Sequence, residues 1–287
     1  MMLKVFKQAR AAFSLLSADE IHRKAEQPVH IGLVADSVSA YAEMEDFLTP
    51  AGMPREAYGR QMYQVHRADD VEPRNTVDLV LYEPGLPCPQ GAYSFHRDDP
   101  SATVAEILHD KDDLALALGR QFPAFRHAVL EDIIHAVARE NALFSLTTAL
   151  PNVIPNFIEL PWAFGEFASD TAFLTANQVR MAFQIAAACG EEVGFANQKG
   201  EILTIAAGAF GWRAIARELV GHIPLGGGLI PKGAIAYAGT YVIGKGLEYL
   251  HQGHGLPDAD HRKDMYREGL KRGRLVAEKL KLKLKPA

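Results

Sequence analysis

The chain has 287 residues, 48% hydrophobic and 23% charged, with a formal net charge of −5. That length supplies one large domain or two ordinary ones, and the composition excludes a disordered or fibrous protein. The charge is uneven: Arg262–Lys285 holds ten Lys/Arg against three Asp/Glu, a local +7 that leaves −12 on the rest.

Val5, Phe6, Ala9, Phe13 and Leu16 follow helical spacing, so an amphipathic helix opens the chain. Met1–Arg10 is basic but lacks the apolar stretch of a signal peptide. Ser17-Ala18-Asp19-Glu20 reads as a capping box that starts a second helix, and Pro28 ends it. Val29–Ala35 is the first predicted strand. A helix with Tyr41, Met44, Phe47 and Leu48 on one face follows, stopped by Thr49-Pro50. A second strand is expected within Tyr58–His66. A third, Val77–Tyr82, is a continuous apolar run of the kind buried on both faces. Pro84–Pro89 is a loop that includes Cys88, and a short strand is expected at Ala92–His96. Strands alternating with helices predict an α/β region with a doubly wound, mostly parallel sheet.

From Thr103 the strand signals stop. Helices are predicted at Thr103–Leu108, Asp112–Gln121, Ala124–Leu150, Thr171–Cys189 with Gly190 as its cap, Gln198–Val220, Pro231–Leu250 and Asp258–Leu280. Pro151–Trp162 is a Pro-punctuated apolar loop. The expected organisation is an α/β domain over residues 1–110 and an all-α domain over 111–287. Cys88 and Cys189 suggest neither a disulfide framework nor a metal motif, and Cys189 reads as a small buried residue. No window reaches the roughly 18 consecutive apolar residues of a clear membrane span. Ile202–Trp212 and Gly233–Gly244 come closest, so membrane contact stays open.

The sharpest local signal is Gly32-Leu33-Val34-Ala35-Asp36-Ser37-Val38-Ser39, which lies where a phosphate-binding loop would connect strand to helix. Against the pattern G-x-x-x-x-G-K-[ST], Gly32 and Ser39 match, Ser37 replaces the second glycine and Val38 replaces the lysine. Val38 brings no charge to the phosphates, Ser37 restores a Cβ where backbone must approach, and Asp36 adds a negative charge. The half unit of positive charge at a helix N-terminus must then outweigh a carboxylate. The expectation is a degenerate nucleotide fold without tight triphosphate binding and without a cofactor; the alternative is a chance match, since any strand-turn-helix can begin with Gly and contain Ser. Asp78 begins the third strand instead of ending it, and Asp110-Lys111-Asp112-Asp113 only faintly echoes a guanine-reading sequence.

In the helical half, Ile223–Gly233 places Gly226, Gly227 and Gly228 between two prolines, a hinge between apolar helices. Ala236, Thr240 and Gly244 follow at four-residue spacing, which lets another helix approach closely. Together with Leu174–Met181 and Gly208–Arg213, these segments resemble the helical domain of unknown function in YcjF-like bacterial proteins. The resemblance covers roughly Ala124–Leu250, and the N-terminal half is similar to the GTPase domain that precedes it in such proteins. It implies a helical module associated with GTPases, often at the inner membrane, with no catalytic residues to carry over.

His251, His254, Asp258, Asp260 and His261 form a cluster whose residue types can bind a transition metal; its spacing matches no specific motif, and a polar interhelical loop is the plainer reading. Asn177, Gln178 and Arg180 sit on an apolar helix and need partners, either a neighbouring helix or a ligand. Arg213 and Arg217, four apart beside Glu218, suggest an ion-pair network or an anion site, and Trp162 and Trp212 read as core anchors. G-x-S-x-G is absent. The sequence thus predicts a non-catalytic, pseudo-GTPase-like scaffold, cytoplasmic or peripheral at the inner membrane, with a protein partner, a membrane contact through the basic tail, self-association, and no nucleic acid. Two alternatives stand beside it. One is a GTPase-like hydrolase using Arg213 or Lys232 in place of the lost lysine. The other is a membrane-inserting hairpin over Ile202–Leu250.

Overall fold

The computed structural model describes residues 18–52, 55–67, 77–148, 170–205 and 229–283. The opening helix Val5–Leu16, the capping residue Ser17, the Pro151–Trp162 loop, Arg213, Arg217, Glu218, Trp212 and the Gly226–Gly228 hinge lie outside the described residues. Residues 199–205 are helical, and the rest of the helix expected through Val220 also lies outside them.

In chain order the elements are α1 (Ala18–Glu26), β1 (Ile31–Val34), α2 (Val38–Leu48), α3 (Arg55–Met62), β2 (Val65–Arg67), β3 (Leu79–Tyr82), β4 (Tyr93–Ser94) and α4 (Pro100–Asp110). A short 3-10 turn (Asp112–Leu114) leads into α5 (Ala115–Gln121), α6 (Pro123–Thr147), α7 (Asp170–Ala188), α8 (Leu229–Tyr249) and α9 (Ala259–Lys283). The described residues are mostly helical, with one small sheet. The described residues divide into a sheet unit, within Glu20–Glu131 and Ala187–Glu191, and a helical unit, within Asp132–Ala186 and from Glu192 onward. The sheet unit therefore runs past residue 110, because α4, α5 and the start of α6 belong to it.

The four strands are all parallel, in the order β2-β1-β3-β4. Ile31 and Leu33 of β1 are fully buried, as are Leu79 and Leu81 of β3. Val80 and Tyr82 are only half-buried, so β3 alternates instead of being covered on both faces. An unbroken apolar run sets what a strand tolerates, not how completely helices cover it. The expected second strand is mostly helix: Arg55–Met62 is α3, and β2 keeps only Val65–Arg67. Tyr58 and Tyr63 are both exposed, so these aromatic residues mark no buried strand face here.

Local chemistry explains several boundaries. Ser37, in extended conformation, accepts the Ala40 N–H on its Oγ at 3.1 Å and caps α2. At the other end the Thr49 N–H and hydroxyl both donate to Glu45 O, and Pro50 forbids continuation. Pro123 opens α6, where its missing N–H leaves nothing unpaired. Gly190, at φ 92°, follows α7 and supplies the left-handed backbone that a helix end favours. Cys189 beside it is half-exposed rather than buried. Lys111 ends α4, and Asp112 and Asp113 sit in the first turn that follows, which accounts for that charged run without a base-reading role.

In the helical unit, α8 and α9 pack on each other through Ala234, Ala238, Tyr266 and Leu270. A Cβ at Gly273 would lie 2.8 Å from Ala234 O, and one at Gly269 would lie 2.9 Å from the Tyr241 ring. These two glycines, four apart, let the backbones of α8 and α9 approach to a distance any side chain would prevent.

Candidate functional site

In a doubly wound sheet the ligand crevice lies outside the carboxyl ends of the strands, where the connections leave in opposite directions. Here β1 has β2 on one side and β3 on the other, so that switch point lies between β1 and β3. The connections leaving their ends carry Asp36 and Glu83.

The turn there is closed by the protein's own groups. Only Ala35, Asp36 and Ser37 join β1 to α2. The Asp36 N–H donates to Glu83 Oε2 at 2.8 Å, and Ser37 Oγ lies 3.2 Å from Ser39 Oγ while capping Ala40. Val38 points out at 77% exposure. A phosphate nest needs several successive N–H groups free to converge on one anion. Two of the N–H groups in this region are already held by a carboxylate and a hydroxyl.

Gly32 is not a loop glycine. It is a residue of β1, in register with His66 and Val80, and an added Cβ would meet Val77 and Val80 at ordinary contact distances of 3.4–3.6 Å. Gly32, Leu33 and Val34 are strand, and Val38 and Ser39 are helix, so the eight-residue match to a phosphate loop spans three kinds of structure. The connection expected as a degenerate P-loop is, in this structure, the three-residue strand-to-helix turn Ala35–Ser37.

Elsewhere in the sheet unit, polar groups pair close to the surface. His30 Nδ1 and His66 Nε2 lie 3.0 Å apart, and the His30 N–H donates to Asp78 at 2.7 Å. Arg67 makes two hydrogen bonds to Glu45, at 2.7 and 2.8 Å, and lies over the Tyr41 ring. Asp78 thus holds the start of the sheet and stands away from the switch point.

The helical unit holds a second polar constellation, and here Asn177 and Gln178 find protein partners. Asn177 Nδ2 donates to Asn141 Oδ1 at 3.0 Å and to Glu140 at 3.1 Å. Asn141 Nδ2 donates to Thr240 Oγ1 at 2.8 Å, and Gln178 Nε2 reaches the same hydroxyl at 3.3 Å. Thr240 in turn donates to Ala236 O at 3.0 Å, which fills one donor and two acceptor positions of its hydroxyl. Arg180 pairs with Glu140. Asn141, Asn177, Gln178 and Thr240 are all buried, so this is a polar layer bridging α6, α7 and α8. Ala236 is buried in the same row, and a Cβ on Gly244 would lie 2.7 Å from Ile134 and 3.1 Å from Met181 Sδ. The Ala236, Thr240 and Gly244 row thus faces α6 and α7 within the bundle. Sequence reasoning missed Glu140 and Asn141, although two adjacent polar residues inside an apolar helix are the same signal that flagged Asn177.

Among the described residues, the ring nitrogens of His251, His254 and His261 are not gathered within 4.8 Å as a metal group. His251 lies 3.5 Å from Glu201, and His254 and His261 pack on the Tyr249 ring at 4.7 and 5.4 Å between centroids. A further histidine, His135, joins three helices: Nδ1 lies 2.6 Å from Tyr237 Oη, and Arg272 donates to Nε2 at 2.9 Å. The guanidinium can only donate, so Nε2 is the acceptor and Nδ1 carries the proton to Tyr237.

No described helix is long and apolar enough to cross a membrane. No family model, no curated protein and no solved structure matches this chain.

Proposed function

We propose that this chain is a non-catalytic adaptor that works without a nucleotide. One observation carries the reading: at the switch point, the N–H that would meet a ligand phosphate is held by the Glu83 carboxylate, in a turn of three residues. Electrostatics points the same way. An incoming phosphate would face Asp36 and Glu83, with valine where a lysine would compensate. Lys232, the substitute cation considered for a hydrolase, is exposed on the first turn of α8 in the other unit, and Arg213 lies outside the described residues.

The helical unit supports the adaptor reading differently. Its polar groups are directed at one another, which fixes how α6, α7 and α8 pack and leaves the outer faces for partners. On its sequence motifs, we place this unit with the helical domain of YcjF-like proteins, which fits a module that accompanies GTPases rather than acting as one. Calorimetry of the full chain with GTP, GDP and ATP in magnesium tests the proposal. Flat titrations are expected, and micromolar affinity for any of the three would overturn it.

A further inference from the structure

Two segments of the helical unit bring a polar side chain together out of water. In the helical stretch 199–205, Glu201 shares the inner face with buried Ile205, one turn on, while Leu203 and Thr204 are exposed. Gln198 fixes the start of that stretch: its O accepts the Ile202 N–H at 2.9 Å, and its Oε1 accepts the Gly194 N–H at 2.8 Å. At the end of α8 the chain turns through Leu250–His254, kinked at Gly253 with φ 83°. In that turn Gln252, Gly253 and His254 are exposed, whereas His251 is turned inward.

The His251 and Glu201 side chains are only 9% and 12% exposed, and His251 Nε2 lies 3.5 Å from Glu201 Oε1. Neither His251 Nε2 nor Glu201 Oε2 has a hydrogen-bond partner among the described residues. Buried polar groups in that state are costly, and a native protein meets them with water or an ion. The separation distinguishes these cases. A charge-assisted N–H···O bond closes to about 2.7–2.9 Å, so the observed pair is too far apart for a direct bond. A water about 2.8 Å from both atoms would have to bridge them at an angle of about 77°, too acute for two good hydrogen bonds. An ion about 2.0–2.2 Å from each atom subtends about 115°, close to the tetrahedral angle that zinc adopts.

We infer that His251 and Glu201 form a binding site for a zinc-class divalent cation, with water completing its shell. The donor set decides the class: an imidazole nitrogen beside one carboxylate suits zinc, cobalt or nickel, whereas magnesium and calcium take oxygen ligands. His254 and His261, which pack on the Tyr249 ring, stand outside the site. The ion ties residues 199–205 to the end of α8, so it stabilises a junction between segments far apart in sequence. This inference is independent of the adaptor reading: it needs neither an empty nor a filled nucleotide site.

The test is calorimetry of the full chain, stripped with chelator and carrying no histidine tag, against zinc chloride and then magnesium chloride. Saturable zinc binding is expected, with no magnesium isotherm. Loss of an outer partner alone costs a metal site about 10–100-fold, so losing a ligand should weaken zinc binding by at least about tenfold. E201Q and H251A should both show that loss, while H254A/H261A should bind zinc as the wild type does. Zinc should also raise the urea midpoint of the wild type and leave that of E201Q unmoved. Circular dichroism checks that the variants remain folded, and E201Q, which keeps the side chain's shape, decides the matter if H251A does not. Absence of zinc binding by the wild-type chain overturns the inference. Binding that E201Q leaves unchanged overturns it too, because the ion would then sit elsewhere, as does equal affinity for magnesium.

Discussion

Two polar groupings, one in each unit, stand in opposite surroundings. At the end of the sheet the Asp36 backbone N–H meets the Glu83 carboxylate, and Arg67 meets Glu45, where water stands ready to replace a lost partner. In the helical unit Asn141, Asn177, Gln178 and Thr240 are buried between helices, where no water can do so. The same kind of hydrogen bond is therefore close to neutral in one unit and decisive in the other, because the cost of losing it is the desolvation of whatever remains. The contrast also separates function from stability. The accessible groups lie where a ligand would sit but are already occupied, and the inaccessible ones specify packing.

The largest effect expected from this contrast is at Asn141. Asn141→Ala removes hydrogen bonds to Thr240 and from Asn177 and opens a small void between α6, α7 and α8. The loss should be about 2–3 kcal/mol, read as a lower urea midpoint with an unchanged slope. A loss under about 0.5 kcal/mol, the size of an ordinary surface change, would break the comparison, since the layer would then be no more important than an exposed pair.

A middle-sized effect concerns Tyr266. Burial pushes its hydroxyl up to about 12, and the hydroxyl has no hydrogen-bond partner among the described residues. In an unfolded chain a tyrosine titrates near 10. The folded state thus binds the extra proton between those values, so this contribution is intact below about pH 10 and is lost as pH rises toward 12, on the order of 2 kcal/mol in all. Tyr266→Phe should flatten the alkaline fall in stability and leave neutral-pH stability equal or slightly higher. Tyr93 on β4 is raised as well, first by burial and then by Asp110 and Glu106, so some of the slope should remain. Identical alkaline melting curves for the two proteins would show that the Tyr266 hydroxyl is not kept from water.

Much of the fold was legible because hydrophobic period and punctuation agree. Gly190, Thr49-Pro50 and the apolar rows of α6, α7 and α8 each state a boundary or a face, and apart from α3 the described helices fall within a few residues of expectation. The failures arise where a local pattern had to be read without knowing coverage. Tyr58 and Tyr63 look like strand residues until their exposure is known. Gly269 and Gly273 disappear inside a charged helix, although their four-residue spacing is what brings α8 and α9 together. The candidate site divides the same way. The missing positive charge could be read from Val38 and Asp36, whereas the occupant of the turn could not, because Glu83 is brought to Asp36 only by the pairing of β1 with β3.

The smallest expected effect is therefore the most informative about the site. Glu83→Gln keeps an oxygen that can accept the Asp36 N–H and removes only the charge, so stability should change by less than about 1 kcal/mol in either direction. Charge and geometry can then be separated by adding Asp36→Gly and Val38→Lys to the same chain. If the charge deficit alone excluded phosphate, this triple variant would acquire measurable affinity for GTP or ATP. A turn of three residues between β1 and α2 cannot wrap a phosphate chain whatever its charge, so its titrations should stay as flat as those of the wild type. Nucleotide binding by the variant would show that the backbone was competent all along and that the carboxylates alone close the site.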